Sequence, residues 1–400
     1  MIMIKTIATT LLVALCTLAS WANNNSYTII VSLDGFRWDY CEAFDTPFLN
    51  SMTQQGVKAI MQPSFPSKTF PNHYTLATGL YPDHHGIVAN SFLVRSTGKV
   101  YSLGDSIERN KAEYYGGDPI WLTAKRQGVK SATVYWVGSD VAVKGDHANY
   151  WHNYMKKPLL SFEQRTRRVL ELLNMPKEQR PHFIMCYFEE PDHNGHSYGP
   201  ISRETRQAVE HLDSLLGSMW KEIKKLPFGA QVNLIVTGDH GMSWVESNRN
   251  VAIRPYVKDE WVERVEGNLP AQFYVTQPQY ADSIVNAYKN VPHSRAWKKA
   301  DLPAYLHYGT NPNVGDVVVL PDAGWLVTDQ PIKRGGAHGY DNLLSDMLVG
   351  FRAMGPSFKE GYIKPQQFSN VCVYPLLCHL LGITPSPNDG NLNEVADMLR

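Results

Sequence analysis

Five short strings of this chain carry side chains that could hold metal ions around a nucleophile. They are Ser32-Leu33-Asp34-Gly35, Lys68-Thr69-Phe70-Pro71-Asn72-His73, Pro191-Asp192-His193-Asn194-Gly195-His196, Thr237-Gly238-Asp239-His240-Gly241 and Gly336-Ala337-His338-Gly339. Together Asp34, Asp192, Asp239, His196, His240, His338 and Thr69 offer three carboxylates, three imidazoles and one hydroxyl. That set suits two adjacent divalent ions with a nucleophile between them. The chemistry it predicts is cleavage of a phosphate ester, in which negative charge builds on both the attacking and the leaving oxygen. Thr69 is the candidate nucleophile, because a free hydroxyl is a poor nucleophile near neutrality and metal coordination can deprotonate it.

Each string also has a plainer local explanation. Thr69, ahead of a helix beginning near Asn72, could be an ordinary cap. Asp192 and His196 are four apart, but Asn194-Gly195 and Gly199-Pro200 favour a loop over a helix. His338, between glycines, could sit in a surface turn. Asp239-His240 is the strongest string, since two polar ligand types at the end of a buried strand are costly unless something binds them. The neighbouring His73, His84, His85 and His193 are expected to have supporting roles.

What joins the strings is their position. Apolar runs at 27–33, 131–137, 182–188, 232–237 and 347–351 end in polar or glycine-containing turns. Their near-continuous aliphatic content predicts strands buried on both faces, as in a parallel sheet. Helical stripes lie between them, at 165–173 and at 202–225, where Val209, Leu212, Leu216, Met219 and Ile223 recur at steps of three and four. The expected class is α/β, a mostly parallel central sheet with helices on both faces. The candidate ligands follow the C-terminal ends of the runs, where open α/β sheets place their sites. Residues 243–331 read differently, with turn-rich sequence, short strands at 271–275 and 317–320 and a helix at 280–288. They form an expected smaller α+β insertion capping the sheet, within one catalytic domain spanning 23–400.

Composition narrows the class. The 400 residues are 43% apolar and 19% charged, with Lys+Arg and Asp+Glu both 38. This is a globular balance with no bulk charge to steer a nucleic-acid polymer. Lys5, the apolar run 7–19 and Ser20-Trp21-Ala22 form the pattern of an export signal over 1–22, cut after Ala22. The run is shorter than the roughly 20 residues of a spanning helix, so the mature chain is expected not to insert in a membrane. The destination is periplasmic or extracellular. Cys41, Cys186, Cys372 and Cys378 then remain and allow three disulfide pairings. Cys186, in a buried run, reads as a free core thiol.

The chain resembles the nucleotide pyrophosphatase/phosphodiesterase family of the alkaline phosphatase superfamily. The likeness runs over 29–391 and rests on Phe65-Pro66-Ser67-Lys68-Thr69-Phe70-Pro71-Asn72-His73-Tyr74, the Tyr81-Pro82…His85-Gly86-Ile87 turn with Asn90, and Trp136-Val137-Gly138-Ser139-Asp140. Gly195-His196, Thr237-Gly238-Asp239-His240-Gly241-Met242 and His338-Gly339-Tyr340-Asp341-Asn342 complete it. The resemblance implies an alkaline-phosphatase-like fold and two zinc ions, one held by Asp192, His196 and His338, the other by Asp34, Thr69, Asp239 and His240. It also implies in-line attack by Thr69 to give a threonine–phosphate intermediate. The Asn90 amide and the backbone N–H of Phe70 would contact a non-bridging oxygen.

The same resemblance makes Phe70 and Tyr187 a clamp for a nucleotide base, with Trp136 and Asp140 lining the pocket. The retained segment 138–151 favours nucleotides over lysophospholipids. The expected substrate is a small phosphodiester or pyrophosphate of a nucleotide, giving a nucleoside monophosphate. A choline- or glycerophospho-diesterase, or a phosphomonoesterase on the same scaffold, is the alternative. A sulfatase is excluded, because Thr69-Phe70-Pro71 lacks the Cys/Ser-x-Pro-x-Arg string it needs. No arginine lies near Thr69 in sequence to clamp a monoester's extra charge.

Overall fold

The computed structural model describes residues 26–154 and 157–400; the expected export signal lies outside them. The central sheet contains β1 (Tyr27–Leu33), β2 (Gly56–Gln62), β3 (Ser131–Val134), β4 (Tyr150–His152), β5 (Phe183–Phe188), β6 (Val232–Thr237), β7 (Val349–Met354) and β8 (Tyr362–Ile363). Their order across the sheet is β8-β2-β7-β6-β1-β5-β3-β4, with Phe368–Ser369 also paired to β2. Every residue of β1, β5 and β6 is buried. Such strands need cover on both faces, and they pair in parallel, Ser32 standing beside Tyr187 on one side and Thr237 on the other.

Two strands differ from expectation. The run at 347–351 becomes β7, which is antiparallel to both β2 and β6 and makes the sheet mixed. β2 shows no clean apolar run because Lys58 and Gln62 interrupt it, and its burial alternates instead. Since β7 reverses direction between β6 and β2, β2 runs the same way as β1. The C-terminal ends of β1, β2, β5 and β6 therefore share one edge. β3 stops at Val134, short of the expected 137, because Tyr135 adopts a positive φ of 59° and turns the chain.

The helices used below are α1 (Thr69–Thr78), α2 (Phe162–Leu173), α3 (Asp192–Tyr198) and α4 (Arg203–Lys225). They fall into two packed groups. α2, α3, α4 and the helix Pro47–Gln55 form one, and α1 forms the other with Ile120–Arg126 and Val373–Leu381. α4 starts at Ser202, whose hydroxyl accepts the Thr205 N–H at 3.1 Å, and it buries the expected stripe from Val209 to Ile223.

Residues after β6 build a second unit. The strands Val262–Glu266, Ala271–Val275, Val317–Pro321 and Ser294–Lys298 form an antiparallel sheet under the helix Gln279–Tyr288. Phe273, Ile284, Tyr288, Val317 and Val319 belong to its own core. A short ladder closes its base, pairing Ser243 with Ala337 and Val245 with Gly335. The Asp83 carboxylate ties it to the turn after α1. Oδ1 accepts the N–H of Gly309 at 3.0 Å, and Oδ2 accepts the N–H and hydroxyl of Thr310, both at 2.6 Å, and the N–H of Asn311 at 3.2 Å.

Cys41, Cys186, Cys372 and Cys378 are all buried and unpaired, so none of the three disulfide pairings forms in this structure. Among the described residues, no helix is long and apolar enough to cross a membrane.

Asp83 is buried, so its loss strands several donors. Asp83→Ala should lower the unfolding free energy by about 1–3 kcal/mol. A denaturant titration of the two proteins measures this, and an unchanged midpoint would contradict the tethering role.

Candidate active site

The nucleophile candidate is set by a helix start. Lys68 is extended, and α1 begins at Thr69 rather than near Asn72, with Pro71 in the first turn where a missing N–H is tolerated. Thr69 is thus the first helical residue and not a cap. All ten residues of α1 are buried. Asn72 fixes the approach. Its Oδ1 accepts the Ser64 N–H at 2.7 Å and its Nδ2 donates to Pro66 O and Lys68 O, both at 2.9 Å. Thr69, 8% exposed, holds its hydroxyl 3.3 Å from His240 Nε2.

The other six candidate ligands converge here from one sheet edge. Asp34 follows β1, Asp192 opens α3 after β5, and Asp239-His240 follow β6. His338 is the residue after the ladder strand Gly335–Ala337, which carries it back across the insertion. Asp192, His196 and His338 form one cluster able to hold a metal ion. The distance from Asp192 Oδ1 is 3.4 Å to His196 Nε2 and 3.5 Å to His338 Nε2, and the two imidazoles approach to 3.1 Å. Each imidazole points its other nitrogen at a backbone carbonyl 2.8 Å away, His196 at Gly336 and His338 at Ser67. Such partners set the tautomer of a metal ligand.

The remaining ligands form overlapping clusters, Asp34 with Asp192 and His240, and Asp34 with His73 and Asp239. His240 Nε2 lies 3.0 Å from Asp239 Oδ2 and 3.4 Å from Asp34 Oδ1. His240 and His338 stack at 3.5 Å between ring centres, so the two halves share a wall. His73 is already engaged, with Nε2 2.8 Å from Ser32 Oγ and Nδ1 3.0 Å from Thr69 O and 3.3 Å from Asp239 Oδ2. It buttresses Asp239, which is the supporting role expected of it.

The expected loop at Asp192–His196 is a helix instead. Gly195 packs closely on Met242, whose Cε a Cβ there would approach to 3.0 Å. Asn194 is held by Glu190, its N–H bonding Oε2 at 3.1 Å and its amide bonding Oε1 at 3.0 Å. The helix ends where Gly199 turns with φ 97°.

Electrostatics make the cluster a cation site. Asp34 Oδ1, Asp192 Oδ1 and Asp239 Oδ2 are buried and accept no hydrogen bond. Burial, with Asp239 and Asp192 alongside, pushes the Asp34 carboxyl well above the usual range. Burial would raise Asp239 too, but His240 and His73 hold it well below that range. Burial and the nearby His240 and Lys68 keep His338 neutral, the form that binds metal. Loss of hydration brings the Lys68 ammonium down to about 8, against the pull of Asp192. Three carboxylates beside three imidazoles are the donor set of hard-to-borderline divalent ions.

The aromatic residues are arranged otherwise than expected. Phe70 meets Tyr154 edge-on at 5.6 Å, and Tyr154 in turn meets Tyr187 at 5.6 Å. Tyr154, from the polar loop after β4, stands where Tyr187 was expected. Tyr187 is deeper, because its hydroxyl is committed to Asp34 Oδ2 at 2.7 Å. Trp136 does not line the pocket. It is fully buried behind α1, donating from Nε1 to His73 O at 3.3 Å. Asp140 lies beside Arg109, with 3.8 Å between Oδ2 and Nη2, and burial raises its carboxyl. Arg109, distant in sequence, reaches within 5.8 Å of the Tyr154 ring centre but donates to Leu103 O at 2.8 Å. Asn90 Oδ1 accepts the Phe70 N–H at 3.0 Å. The two expected oxyanion contacts are therefore bonded to each other, which leaves the Asn90 amide N–H₂ as the available donor.

Known proteins share this fold. The murine ectonucleotide pyrophosphatase/phosphodiesterase 5 structure is 32% identical, covers 94% of this chain and 100% of its own, and superposes with a TM-score of 0.88. A second murine structure, of an inactive threonine-to-alanine variant in complex with AMP, has the same identity and coverage and a TM-score of 0.87. Venom phosphodiesterase CdcPDE of Crotalus durissus collilineatus is 38% identical over 93% of this chain and 46% of its own length. Ectonucleotide pyrophosphatase/phosphodiesterase family member 3 of Rattus norvegicus is 36% identical over 93% and 44%. The chain thus spans about half the length of the curated relatives it matches. The family model for type I phosphodiesterase / nucleotide pyrophosphatase matches residues 28–341, and with these relatives it shows that the chain belongs to that family.

Proposed function

We propose that the chain is an exported, zinc-dependent phosphodiesterase that hydrolyses nucleotide phosphodiester or pyrophosphate bonds and releases a nucleoside monophosphate. The observation that carries this reading is the meeting of Thr69 with two clusters of carboxylates and imidazoles at one sheet edge. Asp192, His196 and His338 would hold one zinc, and Asp34, Asp239, His240 and Thr69 the other. When bound, the pair would supply Lewis-acid stabilisation of charge on the reacting phosphate and on the oxygens that attack and leave.

The protein's own groups do the rest. Thr69 Oγ1 attacks phosphorus in line and expels the leaving oxygen, giving a threonine–phosphate ester. Water then attacks the same phosphorus and frees Thr69. The Asn90 amide donates to a non-bridging oxygen, and being fixed before the reaction it needs no reorganisation as charge develops. Phe70, next to the nucleophile in the chain, and Tyr154 would take the base between them, Tyr154 swinging from its edge-on contact. The AMP described with an inactive threonine-to-alanine neighbour supports both the nucleophile and the product class. Export is supported by the sequence of residues 1–22 and by relatives named as venom and ecto-enzymes.

Purified protein should cleave the nitrophenyl ester of thymidine monophosphate far faster than nitrophenyl phosphate. Chelator should abolish the activity and added zinc restore it; equal rates with chelator would sink the metal mechanism. Thr69→Ala should lower kcat by about 10³-fold or more, and a variant turning over at the parent rate would remove Thr69 from the chemistry. Tyr154→Ala should lower kcat/KM by roughly 5- to 150-fold, the size of one lost base–aromatic stack of about 1–3 kcal/mol. The loss should vanish for a substrate with no base.

A further inference from the structure

Tyr187 is held at both ends. Its side chain is 3% exposed and its ring lies 5.0 Å from that of His73. Its backbone carbonyl accepts Arg165 Nη1 at 2.9 Å, and that buried guanidinium is itself bound by Glu189 at 3.1 Å. Its hydroxyl donates to Asp34 Oδ2 at 2.7 Å, across the parallel pair β1 and β5. The Asp34 carboxylate is therefore divided. One oxygen is occupied by the phenol, and the other, Oδ1, accepts no hydrogen bond and lies 3.4 Å from His240 Nε2.

We infer that Tyr187 is a positioning residue for Asp34. Its hydroxyl fixes the carboxylate plane so that Oδ1 alone faces the metal of the Asp34, Asp239 and His240 half, and its ring does not stack on the substrate base. This rests on reading the cluster as a metal site. A short, directional hydrogen bond holds an orientation that packing alone leaves free to rotate about the Cβ–Cγ bond. Partners of this kind change metal affinity by about 10–100-fold when removed.

Tyr187→Phe isolates the hydroxyl, because the ring and its packing stay. Parent and variant are equilibrated across a series of chelator-buffered free zinc concentrations, and bound zinc is counted by atomic emission. The expected result is that one of two zinc equivalents is lost at roughly 10–100-fold higher free zinc, the other being unmoved. KM for nitrophenyl thymidine monophosphate should hold while kcat falls. Zinc retention identical to the parent overturns the inference, as does a raised KM with both zincs in place, which would assign Tyr187 to the base. A parent that binds no zinc would instead overturn the metal-site reading beneath it. Should the single variant fold poorly, the pair settles the matter. Tyr187→Phe added to Asp34→Asn should cause no further zinc loss, and additive losses would refute the coupling.

Discussion

Like charges in low-dielectric surroundings govern this structure. Asp34, Asp192 and Asp239 lie at one edge of one sheet with an unpaired oxygen each. Burial and the neighbouring Asp239 and Asp192 push the Asp34 carboxyl up, whereas His240 and His73 hold that of Asp239 down. Such a cluster could hold a cation, and the surrounding groups are arranged around it. The imidazoles are kept neutral or turned by carbonyls, His73 braces Asp239, and the phenol of Tyr187 holds the second oxygen of Asp34. Thr69 is placed at the rim of that concentrated charge by a helix whose every residue is buried.

The fold supplies the edge. Parallel strands deliver their C-terminal ends to the same side, so Asp34, Asp192 and Asp239 need only follow β1, β5 and β6 to meet. The antiparallel β7 does not disturb this, since its reversal restores β2 to the common direction and brings the chain before Thr69 to the same rim.

Asp34 and the Asp239-His240 pair were legible as candidate ligands because they follow apolar strands, where a polar residue is hard to explain otherwise. β2 was not, since Lys58 and Gln62 broke the run that marks a buried strand. Helix α3 was read as a loop because Asn194-Gly195 looks like a turn, whereas Glu190 binds Asn194 into the first turn of a helix. The aromatic pocket was the least legible part. Tyr154 sits in a polar loop without periodicity, and its partnership with Phe70 is created only by the path of the chain after β4. Tyr187, on a buried strand, offered the more visible ring but spends its hydroxyl on Asp34. Trp136 belonged to the core that its apolar neighbours implied.

The ladder joining Ser243–Val245 to Gly335–Ala337 has a consequence for the order of assembly. During synthesis, six of the seven ligands emerge before the insertion does, and the seventh, His338, only after it. The strand leading to Thr69, β2, joins the sheet only through β7, which follows His338 in the chain, so Thr69 and His338 both reach their places after the insertion is made. Closing so long a segment is entropically unfavourable until its ends meet. The ladder joins those ends, so the last of the candidate ligands meets the others only once the insertion has folded back.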